Sequence, residues 1–300
     1  MLLHLRHETL YHYTPAVENA HHAVHLRPAS SSQQTVLQHA LHISPPPDQQ
    51  HETCDVYGNR KLFFSYQTSH DGLSVVADST VQTHASVARQ TSPAWERVRE
   101  LFRYRAGADY SSAWEYVFAS PYVPRHAAFA EFAQPDFAPG RPLLEAAEDL
   151  MTRIYSAMTY DGDATDVNTP ALEALAQRKG VCQDFAHIMV ACCRAMGLPA
   201  RYVSGYLLTQ PAPGRPRLIG CDASHAWASV YCPGADDAKS DASKGQWFDF
   251  DPTNNRAPGE DYVTLATGRD FLDVSPLRGV IRGGARHTLK VAVTVTPVEL

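Results

Sequence analysis

The chain has 300 residues, 44% of them hydrophobic and 19% charged, with a formal net charge of −6. That balance belongs to folded globular chains, excludes disordered and collagen-like classes, and at this length favours two domains over one. The acidic balance excludes a broad electrostatic pull on nucleic acid or an anionic membrane, and no apolar run approaches the roughly 20 residues that span a bilayer.

The predicted elements begin with a β-rich stretch over residues 1–85. Strands are expected at Met1–Tyr13, Ala23–Leu26, Thr35–Ile43, Lys61–Tyr66 and Leu73–Thr83, separated by turn signals such as Pro45-Pro46-Pro47 and Tyr57-Gly58-Asn59. An antiparallel sandwich or small barrel fits strands so spaced. Ser92-Pro93 then opens a helix at Ala94–Tyr104, where Trp95, Val98, Leu101 and Phe102 recur at helical spacing. Residues 106–141 carry four prolines and many aromatics and read as an irregular, partly helical stretch, so residues 86–141 are taken as a connector.

The rest, residues 142–300, reads as a core. A helix is expected at Pro142–Met158, with Leu143, Ala146, Leu150 and Ile154 as its apolar stripe. A short helix at Ala171–Arg178 precedes a turn at Lys179-Gly180. A second, apolar helix runs from Cys182 to Met196 and is stopped by Gly197 and Pro199. Strands are expected at Tyr202–Leu208, Ala226–Tyr231 and Trp247–Phe250, with a polar excursion at Asp236–Lys244. The alternating His287–Val298 reads as a strand that closes this core.

Six cysteines, at 54, 182, 192, 193, 221 and 232, form no C-x-x-C pair. They are too sparse for a disulfide scaffold and wrongly spaced for structural zinc, so free thiols in a reducing, cytoplasmic compartment are expected. Met1–His12 has neither the basic start nor the long apolar centre of a secretory signal. One cysteine stands apart. In Gly180-Val-Cys182-Gln-Asp-Phe-Ala-His187 a glycine turn leads into a cysteine at the first position of a helix. There the helix dipole and free backbone N–H groups favour a thiolate, and the same donors suit a developing oxyanion.

A thiolate nucleophile needs a base, and a base needs an orienting acid. His225, in Asp222-Ala-Ser-His225-Ala-Trp227, sits where a loop enters a strand. The run Trp247-Phe-Asp249-Phe-Asp251-Pro-Thr-Asn254 offers two acids. Asp251 is preferred because it stands at the strand end before Pro252, where side chains enter a cleft; a turn-capping role in Asp-Pro-Thr-Asn is its structural alternative. His187, five residues after Cys182, is turned about 140° from it on a helix and is expected to be a packed or capping residue. His21, His22 and His25 lack carboxylate partners and are expected to be solvated, not metal ligands. No calcium-loop pattern occurs.

Cys182, His225 and Asp251, in that order, resemble the bacterial transglutaminase-like superfamily. The likeness extends to Arg201-Tyr-Val-Ser-Gly-Tyr206, Ser224-His-Ala-Trp227, Phe250-Asp-Pro-Thr-Asn254, and the segment from Gly268-Arg-Asp270 to Asp273-Val-Ser-Pro276. Residues 1–85, notably Asp55-Val-Tyr-Gly-Asn59, resemble the β-rich domain that precedes the bacterial core. The resemblance implies an α+β, papain-like core, with a helix-borne cysteine packed on an antiparallel sheet, behind an N-terminal β-rich domain. It also implies thiol chemistry on amides, with Cys182 as nucleophile, His225 as base and Asp251 as orienting acid. It implies no cofactor and no metal. Tyr160 and Gln183 remain open as oxyanion donors. The expected activity is that of a cysteine peptidase or amidase on a protein or peptide substrate, since water is always present and no dedicated amine site is visible. Transfer to an amine, a non-enzymatic binding module, and a redox sensor using Cys221 are the alternatives.

Overall fold

The computed structural model describes residues 1–85, 91–104, 106, 110–209, 224–234, 244–284 and 286–298. The first 85 residues supply β1 (Leu2–Val24), β2 (Gln34–Ser44), β3 (Gln49–Cys54), β4 (Arg60–Tyr66) and β5 (His70–Thr83). They form an antiparallel sheet in the order β2-β5-β1-β4-β3. Period-two burial explains it: Leu3, Leu5, His7 and Thr9 of β1 turn inward, as do Leu73, Val75, Ala77, Ser79 and Val81 of β5. The expected strands Met1–Tyr13 and Ala23–Leu26 are one strand. Its pairing with β5 slips between His12 and Val17, around Pro15, which has no N–H to give to a ladder. β3 escaped the sequence reading because Gln-Gln-His-Glu-Thr-Cys is a polar, exposed edge.

Beyond the sheet come α1 (Trp95–Leu101), α2 (Ala127–Ala133) and α3 (Leu143–Ala157), with 3-10 turns at Ser112–Tyr116 and Gln134–Asp136. The stretch read as a connector packs into the core: Val98, Phe129 and Phe137 share one buried cluster with Leu150, Ile188 and Val230. Then follow β6 (Thr159–Tyr160), α4 (Ala171–Gln177), β7 (Lys179–Gly180), α5 (Cys182–Ala195), β8 (Ala200–Leu207), β9 (Ser224–Pro233), β10 (Gly245–Phe250) and β11 (Tyr262–Gly268). A second antiparallel sheet runs β10-β9-β8-β11, and α5 lies on it through Ile188, Ala191 and Cys192, with Ala228 and Val230 beneath. The expected excursion at Asp236–Lys244 falls, except for Lys244, outside the described residues.

The chain closes through α6 (Phe271–Val274), β12 (Leu277–Gly283) and β13 (Arg286–Pro297). Here the sequence reading is corrected. β12 and β13 pair with β1, so the closing strand, assigned to the core, completes the first sheet instead. Val293 and Val295 bury against that sheet's interior. A second correction concerns histidines expected in solvent. His22 and His25 are 5% and 1% exposed: His22 stacks on Phe64, and His25 Nδ1 lies 3.2 Å from the Ser275 carbonyl.

Candidate active site

Four elements converge on one sulfur. Cys182 opens α5, a 14-residue helix whose first turn is held by Asp184. The Asp184 carboxylate accepts the Val181 N–H at 2.8 Å and the Thr165 hydroxyl at 2.7 Å. Burial raises the Asp184 pKa, and these bonds oppose that rise. A Cβ on Gly180 would meet the same carboxylate at 2.4 Å, so the residue two before the cysteine must be glycine. Cys182 packs beside Ala186, Tyr202, Ala226 and Phe271 and keeps part of its surface open. Among the described cysteines, Cys192, Cys193 and Cys232 are buried, and burial pushes the thiols of Cys193 and Cys232 up to about 12. Cys221 lies outside the described residues.

His225 stands at the start of β9, hydrogen-bonded to Asp251 and close enough to Cys182 for the sulfur to raise the ring's pKa. Its Nε2 is 2.7 Å from Asp251 Oδ2. Burial disfavours a charged ring, but the bond to Asp251 and the interaction with Cys182 outweigh it and raise the imidazolium pKa to about 10. Trp227, two residues along the strand, lies 6.2 Å from the His225 ring. It fits because Gly205 leaves the space: a Cβ there would strike the indole at 2.5 Å.

Asp251 is fully buried, and both of its oxygens accept hydrogen bonds. Oδ1 accepts the backbone N–H groups of Thr253 (2.9 Å) and Asn254 (3.2 Å), capping the turn. Oδ2 receives His225, the Asn254 side chain and the Tyr262 hydroxyl, each at 2.7 Å. Burial alone would raise its pKa; the hydrogen bonds and the His225 charge lower it instead. Asp249, the rejected acid, sits opposite Ser229 in the strand pair and faces the charge of Arg201.

The three expected residues are thus brought together, while the other candidates go elsewhere. His187 is buried and stacked on Tyr122 at 5.4 Å, and its Nε2 accepts the Phe271 N–H at 3.1 Å. Burial, then Arg194, lowers its pKa to about 3, so it is neutral. Gln183 donates to the Val167 carbonyl at 3.1 Å, holding the loop beside the helix start. Tyr160 stays exposed near Cys182, its pKa raised by burial and by the Cys182 charge. Tyr262 was missed because nothing local marks it; β11 carries it to Asp251. Asn254 stood inside a quoted motif, and only the folded turn reveals its bond. Among the described residues no group of three His, Cys, Asp or Glu side chains is placed to hold a metal ion, and no helix is long and apolar enough to cross a membrane.

Compared with known proteins, residues 130–252 match the transglutaminase-like superfamily, and residues 3–82 match the bacterial transglutaminase-like N-terminal region. An uncharacterized protein of Mycobacterium tuberculosis is 38% identical over 299 residues, covering 98% of this chain and 92% of its own. An uncharacterized protein of Mycobacterium leprae is 30% identical, over 97% of this chain and 96% of its own. Among solved structures, a "putative cysteine protease" from Cytophaga hutchinsonii superposes with a TM-score of 0.74 at 21% identity, covering 100% of this chain and 92% of that one. That last likeness is one of fold.

Proposed function

Because this chain belongs to the transglutaminase-like superfamily, we propose that it is a thiol enzyme acting on amide or peptide bonds, with hydrolysis as its reaction. The observation that carries this reading is the placement of His225 between the helix-borne Cys182 and the buried Asp251, to which it is bonded. Cys182 Sγ attacks the carbonyl carbon as a thiolate and forms the C–S bond. The tetrahedral intermediate collapses as the C–N bond breaks. His225 gives its proton to the leaving amine and becomes neutral. The thioester remains on Cys182. A water molecule, deprotonated by His225, then attacks it and releases the acid and the free thiol. Asp251 keeps its charge throughout, fixing the ring's orientation and stabilising the imidazolium.

The test uses the full chain on a library of peptide amides, with products weighed by mass spectrometry in the presence and absence of a primary amine. Wild type is expected to convert amides to acids, whereas Cys182→Ala and His225→Ala lose at least about a thousandfold in rate. Amine-adducted products in place of acids would make it a transferase. Turnover by Cys182→Ala equal to wild type would overturn the reading.

A further inference from the structure

The first sheet contains a second concave site with its own chemistry. β2 and β3 follow one another in the chain, joined across Pro45-Pro46-Pro47, yet they are opposite ends of the sheet and do not pair. Between them lies a cleft of about 420 Å3. That volume falls in the range of small-molecule sites. The floor is apolar. Val24 of β1, Leu41 of β2 and Leu62 of β4 line it and belong to the cluster that fills the sheet's inner face.

The rim is charged. Arg27 and Arg60 line it, with Glu52 as the one carboxylate among the described lining residues, whereas the Lys61 ammonium lies 4.6 Å over the Phe63 ring. Arg27 Nη1 and Arg60 Nε lie 3.2 and 3.0 Å from the same Glu52 oxygen. Two guanidinium groups therefore share one anion, and positive charge remains over the cleft in a chain whose net charge is −6. His39, on the facing wall, has its pKa lowered by burial and then by Arg27, so it adds a neutral polar edge. An apolar floor under half-neutralised guanidinium groups suits a ligand that is greasy at one end and anionic at the other.

We propose that this cleft binds a small amphipathic anion: a carboxylate on an apolar body. The apolar part covers Val24, Leu41 and Leu62, and the carboxylate takes over guanidinium hydrogen bonds now given to Glu52. The carboxylate has two possible sources, a free aliphatic acid or the C-terminal residue of a peptide. None of these residues belongs to the Cys182 site, so the inference goes beyond the proposed reaction and does not depend on it.

The test titrates octanoate, octanol, and a short peptide ending in leucine, as free acid and as amide, into the full chain by calorimetry. Saturable binding of octanoate but not octanol is expected. Arg27→Gln with Arg60→Gln should weaken it at least about tenfold, the loss of one charge-assisted contact or more. Glu52→Gln removes the competing carboxylate and should tighten it. That opposite sign could not come from a misfolded variant. Tighter binding of the free-acid peptide than of octanoate, lost on amidation, assigns the carboxylate to a chain end; octanoate binding alone assigns it to a small acid. Binding of octanol as tight as octanoate, indifference to all three substitutions, or no saturable binding of any probe would overturn the proposal.

Discussion

At His225, burial and pairing pull in opposite directions and pairing wins. The ring's pKa is raised from 6.5 to about 10, so it carries its proton across the neutral range and releases it only near the upper value. The support comes from two partners. Either Cys182→Ala or Asp251→Asn should therefore bring the His225 titration down from about 10 toward the ordinary value, as read from imidazole resonances by NMR. A wild-type midpoint at 6.5 would mean that the pairing is not assembled in solution. Asp251 has the reverse sign. Its folded pKa lies below 3.8, so its contribution to stability is present above that value and disappears as pH falls through the lower folded one. The place of Asp251 at a strand end before Pro252 was legible from the local sequence. The three donors on Oδ2 were not, since Tyr262 arrives from another strand.

At the scale of an element, the start of α5 shows how short a functional motif can be. Gly180, Cys182 and Asp184 form one unit: the carboxylate at the helix's third position bonds back to the Val181 N–H, and only glycine at 180 leaves it room. Gly180→Ala should thus cost about 1–3 kcal/mol in urea unfolding and also slow iodoacetamide labelling of Cys182, because the helix start that presents the sulfur is displaced. Unchanged stability and labelling together would show that the turn relaxes freely. The local signals here were strong, namely a glycine, an acid in the first turn, and an apolar helix ended by Gly197 and Pro199. The observed helix, Cys182–Ala195, ends one residue short of the expectation. β11 and β12 had no such markers. β12, Leu-Arg-Gly-Val-Ile-Arg-Gly, contains two glycines and becomes a strand through its partner β1.

Across the whole molecule, two side-chain amides do the work of a missing strand. β11 pairs with β8 on one side, and its register slips between Thr264 and Ala266. On its free side Gln34 exchanges two hydrogen bonds with the Thr264 backbone, both 2.7 Å, and Asn59 does the same with Thr267, both 2.8 Å. The first sheet is thereby fastened to the edge of the sheet that carries Tyr262. Asn59→Ala would leave the Thr267 N–H and carbonyl without these partners in a part-buried setting and should cost roughly 1–3 kcal/mol in urea unfolding. A loss under about 0.5 kcal/mol would mean that water replaces the amide there.

The sequence by itself determined the parts that depend on neighbours along the chain. These were the alternating strands of the first 85 residues, the apolar helix behind Cys182, the loop-to-strand place of His225, and the strand-end place of Asp251. Periodicity, caps and turn residues act over a few positions, and they act before any long-range contact forms. Tertiary structure decided what depends on distant partners. It placed β12 and β13 beside β1, drew the stretch before residue 142 into the core, buried His22 and His25, and brought Tyr262 to Asp251. A strand's pairing partner and a polar group's hydrogen-bond partner are set by which surfaces meet when the two sheets close on each other. That meeting is a property of the folded chain as a whole, and no local pattern encodes it.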